Sequence, residues 1–219
     1  MSIKENLEKI KASLPAHVTL VAVSKTKSKE EIMEAYDSGH RIFGENKVQE
    51  MTAKWEHLPK DIEWHMIGHV QSNKVKYMAP YVRLIHGVDS LKLLKEINKQ
   101  AQKNNRVIPC LLQMHIAEEA TKFGFDTEEL EALVQSDAFD ILTHIKIVGL
   151  MGMATFTEDK NQIRKEFKRL SSDYSRFRKT LPSMNILSMG MSGDYPLAIE
   201  EGSTMVRIGS SIFGMRNYP

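Results

Sequence analysis

Val18-Thr-Leu-Val-Ala-Val-Ser24 runs directly into Lys25-Thr-Lys27, then into Ser28-Lys-Glu-Glu31 and a charged stretch that ends at Ser38-Gly39. The first seven residues are apolar or β-branched almost throughout and do not alternate. That pattern predicts a strand buried on both faces, as in a parallel sheet covered by helices. Ser28 ahead of Lys-Glu-Glu is a helix start, and Gly39 is a helix stop. The segment therefore reads as one βα unit, with a lysine standing where its strand ends.

The unit recurs along the whole chain. Strands are predicted near 18–24, 41–44, 64–68, 84–88, 106–114, 145–151, 186–191 and 205–209. Amphipathic helical stretches fall at 30–38, 47–57, 72–79, 90–103, 127–135, 161–180 and 196–201. Asp89-Ser90 and Asp126-Thr127 supply further start signals, and Gly202 a further stop. An extra helix over 3–14 precedes the first strand and ends before Pro15. Eight strands in strict alternation with helices predict an α/β fold, the closed (β/α)8 TIM barrel. A doubly wound open sheet is the rival; it usually has fewer strands, and no G-x-G-x-x-G follows the first strand. No linker or shift in composition divides the chain, so 1–219 is expected to be one domain.

Composition narrows the function classes. Hydrophobic residues make up 42% and charged residues 26%, which excludes intrinsic disorder. Thirty basic residues against 28 acidic leave a charge of +2, too little for a general grip on nucleic acid or an anionic membrane. No apolar run approaches the ~18 residues of a membrane span, and the start lacks a signal-peptide apolar core. The expected compartment is the cytoplasm. The single cysteine, Cys110, lies in an apolar run and reads as a buried, inert thiol. The methionines among the 13 that sit at strand spacing, including Met151, Met153, Met184, Met189 and Met191, read as packing.

In a (β/α)8 barrel the active site lies at the carboxyl ends of the strands. Lys25 ends strand one; partial desolvation there lowers an amine's pKa and suits Schiff-base chemistry, although a strand-end lysine can equally reach solvent. Asn46 ends strand two, as a donor in the mouth or as part of a helix cap. Strand three carries His65 and His69, four apart but without the neighbouring glutamate of a zinc helix, so His65 reads as a pocket wall or a satisfied core histidine. The segments Ser188-Met-Gly-Met-Ser-Gly-Asp194 and Met205-Val-Arg-Ile-Gly-Ser-Ser211 end strands seven and eight. Phosphate sites in such barrels often form from those two loops. Ser192, Gly209 and Ser210 are the candidate contacts, with plain turn chemistry the alternative. Arg207 interrupts an apolar run and must meet an anion, an acceptor or the solvent of the mouth.

In this order, the residues resemble the pyridoxal-phosphate homeostasis family, the YggS/PROSC-type proteins. The resemblance rests on Val23-Ser-Lys-Thr-Lys27, Gly44-Glu-Asn-Lys-Val-Gln-Glu50, Trp64-His-Met-Ile-Gly-His-Val-Gln-Ser-Asn-Lys74, His86-Gly-Val-Asp89, Lys122-Phe-Gly124, Gly149-Leu-Met-Gly-Met153, Ser188-Met-Gly-Met-Ser192 and Gly202-Ser-Thr-Met-Val-Arg-Ile-Gly209. It implies a barrel like the alanine racemase N-terminal domain, binding pyridoxal 5′-phosphate (PLP). The family's Schiff-base lysine carries over to Lys25, and its arginine beside the pyridine nitrogen to Arg207. Its phosphate contacts carry over to Ser192, Gly209, Ser210 and Thr204, while Asn46, His65 and Met189 would line the ring. The implied role is vitamin B6 homeostasis without turnover.

The residues bear on that role. A racemase-like enzyme needs an acid/base partner and a second domain; the chain ends five residues after Gly214, so neither is expected. Arginine donates hydrogen bonds but cannot accept one, so the ring nitrogen would stay unprotonated. A PLP carrier or regulator is the first expectation, a monomer with apo-PLP enzymes as recipients. A small PLP enzyme such as an amino-acid racemase is the second, and a phosphate-sugar aldolase-type barrel using Lys25 the third.

Overall fold

The computed structural model describes residues 2–119 and 123–214. In chain order the elements are α1 (Ile3–Ser13), β1 (Thr19–Val23), α2 (Lys29–Asp37), β2 (Ile42–Glu45), α3 (Val48–His57), β3 (Glu63–Met66), α4 (Val75–Met78), β4 (Leu84–Val88), α5 (Leu91–Lys103), β5 (Ile108–Gln113), α6 (Thr127–Val134), α7 (Asp137–Asp140), β6 (Ile145–Met151), α8 (Lys160–Thr180), β7 (Ile186–Ser188), α9 (Tyr195–Glu200), β8 (Met205–Ile208) and α10 (Ser210–Phe213). All eight predicted strands form. They pair in parallel in sequence order, and β8 returns to β1 in the register Thr19↔Met205 and Ala22↔Ile208. The barrel is closed, so all eight strands open at one carboxyl-end mouth.

The helices start where their caps dictate. Ser28 with Glu31, and Asp126 with Glu129, make reciprocal capping boxes, and the Ser90 hydroxyl accepts from the Leu93 N–H. Gly39 and Gly202 follow their helices at φ +81° and +96°. Four elements differ from the sequence expectation. The helix expected over 72–79 splits into a 3₁₀ turn (Ser72–Lys74) and the single turn α4. Strand seven stops at Ser188 instead of 191, because Gly190 turns the chain at φ +97°. The short helices α7 and α10 were not foreseen.

Strand alternation divides the core into two layers. Val21, Leu84, Leu111, Met151 and Met205 fill the inside of the barrel. Leu20, Ala22, Phe43, Trp64, Met66 and Ile208 belong to the larger layer between barrel and helices. Cys110 is in that outer layer, fully buried, and burial pushes its thiol far above the ordinary range. Strands β6 and β7 approach so closely that a Cβ on Gly149 would lie 1.8 Å from the Ile186 carbonyl oxygen.

Candidate functional site

The mouth of the barrel holds a cavity of about 520 Å³. Lys25, Asn46, Ser192, Arg207, Gly209 and Ser210 all line it. Each gets there for a local reason. Lys25 occupies the turn that leaves β1. Asn46 follows β2, and its backbone packs against Gly68 beyond β3; a Cβ on Gly68 would stand 2.5 Å from the Asn46 carbonyl oxygen, so only glycine fits there. The loops after β7 and β8 are joined by the Gly209 N–H, which donates to the Ser192 hydroxyl at 3.3 Å. Gly209 also lies close to β1, with room for a Cβ only 3.2 Å from the Val23 carbonyl. The serine–glycine loops therefore sit beside the strand that delivers Lys25.

Arg207 is inside the barrel and only 4% exposed. Its NH1 donates to the Ser188 carbonyl at 2.9 Å and to the Ser188 hydroxyl at 2.6 Å, and its NH2 donates to the Gly152 carbonyl at 3.0 Å. Burial lowers its pKa to about 10, with Asp194 acting in the opposite sense, so the guanidinium remains charged at neutral pH. These partners are neutral oxygens, and the cation still borders the cavity.

Below Arg207 the barrel interior carries a hydrogen-bonded chain. His86 Nδ1 meets the Ser188 hydroxyl at 3.1 Å, and His86 Nε2 meets His65 Nδ1 at 3.0 Å. Both rings are buried, and desolvation pushes His65 down to about 3 and His86 well below 6.5. They are neutral at physiological pH. At the rim, His69 pairs with Asp89 at 2.9 Å and stacks on Phe123 with ring centroids 4.2 Å apart. Gln113, at the end of β5, holds the Phe123 carbonyl through its Nε2 at 2.8 Å.

Three expected contacts lie elsewhere. Thr204 precedes β8 and therefore sits at the amino end, away from the mouth; its hydroxyl accepts from the Leu187 N–H at 2.8 Å. Met189 is fully buried in the layer between barrel and helices, because inward-facing Ser188 leaves its neighbour outward. His65 does point inward, but one layer too deep, where it borders a smaller cavity at the amino end. His65 and His69 do not converge, and among the described residues no group of three or more His, Cys, Asp or Glu gathers as a metal site. Lys122 lies outside the described residues. Sequence reasoning missed Ser188, His86 and Gln113 as partners of the site. The signal was a polar side chain inside a fully buried strand, as at His86 within β4.

Known proteins share this fold and sequence. The family model described as alanine racemase, N-terminal domain, matches residues 1–217. The pyridoxal phosphate homeostasis protein of Vibrio alginolyticus is 37% identical, over 99% of this chain and 99% of its own length. That of Aquifex aeolicus is 41% identical, over 91% of this chain and 87% of its own. PipY of Synechococcus elongatus, solved with PLP bound, superposes with a TM-score of 0.87 at 34% identity, covering 97% of this chain and 100% of that one. Alanine racemase of Bartonella henselae shares the fold at a TM-score of 0.71, with 17% identity, 99% of this chain and 61% of its own being covered. By fold, by the order of its mouth residues and by these likenesses, the chain belongs to the alanine racemase N-terminal-domain family, among the pyridoxal phosphate homeostasis proteins.

Proposed function

We propose that this chain binds PLP in the mouth cavity and serves vitamin B6 homeostasis as a holder of the cofactor, without turning over a substrate. The observation that carries this reading is the convergence of Lys25, Arg207 and the loops of Ser192, Gly209 and Ser210 on one cavity. The residues fit the group. The volume is in the range of small-ligand sites. A serine-bearing double loop beside cations suits a phosphate. When bound, PLP supplies an aldehyde that captures amines and a ring that withdraws electrons.

The chain's own residues then have distinct tasks. Lys25 is the amine that bonds to the cofactor. Ser192, Gly209 and Ser210 hold the phosphate, and Asn46 borders the ring. Arg207 offers donors only, so a ring nitrogen against it acquires no proton and the ring withdraws electrons weakly. That argues against turnover. The names of the relatives support the same role, whereas the racemases are 15–17% identical and share the fold alone. The finer reading is a cytoplasmic single-domain monomer over 1–219 that hands PLP to apo-enzymes. Lys25, Asn46, Arg207 and the loops of Ser192, Gly209 and Ser210 share one cavity, which supports a site that needs no residue from a second copy. No helix among the described residues is long and apolar enough to cross a membrane.

Comparing PLP with pyridoxal tests the site. Loss of the phosphate should weaken binding on the order of tenfold or more, because charge-assisted hydrogen bonds disappear. Equal affinity for the two would refute the assignment of the loops. Incubation with alanine in deuterated buffer tests the absence of turnover: negligible exchange of the α-proton is expected, and rapid exchange would favour a racemase.

A further inference from the structure

The turn that carries Lys25 is held from several sides. The Lys27 N–H donates to the Ser24 carbonyl at 3.0 Å, closing a four-residue turn with Lys25 and Thr26 at its centre. Thr26 adopts φ +65°. That region is an outlier for a β-branched residue, and glycine or asparagine usually fills such a turn position. Strain of this kind persists only where the surroundings over-determine the backbone.

Here two residues of α3 do so. The Thr26 N–H donates to Glu50 Oε1 at 2.6 Å. Lys54 Nζ donates to the same oxygen at 2.8 Å, to the Ser24 carbonyl at 2.8 Å and to Glu45 Oε1 at 2.7 Å. All three ammonium protons are engaged. The Ser24 hydroxyl also donates to Glu45 Oε1, at 2.6 Å. Ser24, Glu45 and Lys54 are buried, and neither carboxylate nor Lys54 borders the mouth cavity. A buried ion cluster gains little net stability over an apolar one of the same volume. Its geometry, however, fixes the residues on both sides of Lys25.

We propose that Glu50 and Lys54 are positioning residues for Lys25: they lock the Ser24 carbonyl and the left-handed Thr26 peptide, and so present the Lys25 amine to the cavity in one orientation. The inference rests on Lys25 being the amine that bonds to PLP. Covalent capture requires that amine within bonding reach, and a loosened turn adds conformational freedom that binding must remove. Glu50 is the residue to change first. It is partly exposed, and its loss leaves Lys54 paired with Glu45.

The test combines Glu50→Ala, Glu50→Gln, Thr26→Gly and the double variant Glu50→Ala/Thr26→Gly. One readout is the PLP concentration at which half of Lys25 is trapped by borohydride. Glu50→Ala should raise it on the order of tenfold, the scale of a charged hydrogen bond. Glu50→Gln keeps an acceptor for the Thr26 N–H and should lose much less. Glycine reaches the left-handed backbone without strain but adds freedom of its own, so the double variant should recover part of the loss. Unchanged trapping in Glu50→Ala, or no recovery in the double variant, would overturn the proposal. A second readout needs no cofactor. Amide hydrogen exchange at residue 26 should be slow in the wild type and Glu50→Gln, and on the order of tenfold faster in Glu50→Ala. Equal exchange in wild type and Glu50→Ala overturns the clamp by itself. If the wild type traps no PLP on Lys25, the cofactor reading has failed, and the exchange rates still decide whether Glu50 holds the turn.

Discussion

Arg207 illustrates how one residue can be legible and still incompletely read. A charged side chain in a buried strand demands partners, and that demand was visible in the sequence. The partners were not, because Ser188 and Gly152 reach it only once β6 and β7 pair alongside β8. Lys25 and Asn46 were legible for a simpler reason: each stands within two residues of a strand's end, and every strand end meets at the mouth. Met189 was misplaced because one residue of shift turns a side chain from the inside of the barrel to the outside; His65 does face inward, but too far below the mouth to reach it. Thr204 came from the resemblance alone; it precedes β8, and the three residues of strand from there to Arg207 span roughly 10 Å. Gly68 gives a residue-scale prediction. Gly68→Ala drives a methyl group into the Asn46 backbone, which has to shift, so PLP should bind several-fold more weakly and the stability should fall as well. Isothermal titration beside thermal unfolding checks this, and unchanged affinity would remove Asn46 from the site.

At the scale of elements, strands and long helices were readable because period, length and caps agreed. The short pieces α7 and α10 were not, since four residues carry no period, and α4 was read only as part of a longer helix over 72–79. The Asp126–Glu129 capping box is reciprocal, with bonds of 2.7 and 3.0 Å. Asp126→Ala should therefore cost about 1 kcal/mol, seen as a lower denaturation midpoint with an unchanged slope. An effect near zero would mean that α6 is fixed by packing alone. Gly149 governs the β6–β7 seam. Gly149→Ala should destabilise by more than about 2 kcal/mol, since the backbone of β7 has to move. A variant as stable as the wild type in urea would contradict so close an approach of the strands.

For the whole molecule, three buried histidines tie stability to pH. Burial drives His40 to about 4, His65 to about 3 and His86 well below its ordinary 6.5. The unfolded chain takes up protons near pH 6.5, and the folded barrel does not. Stability is thus full above pH 6.5 and falls as the pH drops toward 4, by roughly 1 kcal/mol per histidine per pH unit. Glu45 and Asp173, whose pKa values burial raises, oppose this at the acid end. Urea midpoints between pH 7.5 and 5 should decline, and a flat profile would contradict the neutral histidine pair inside the barrel. The same closed barrel brings Lys25 to the loops of strands seven and eight, at the opposite end of the sequence. Borohydride reduction of the protein with PLP, followed by peptide mapping, tests that arrangement most directly. The pyridoxyl group should be found on Lys25 and be absent from Lys25→Ala; its appearance on Lys27 or Lys74, or on no lysine at all, would contradict it.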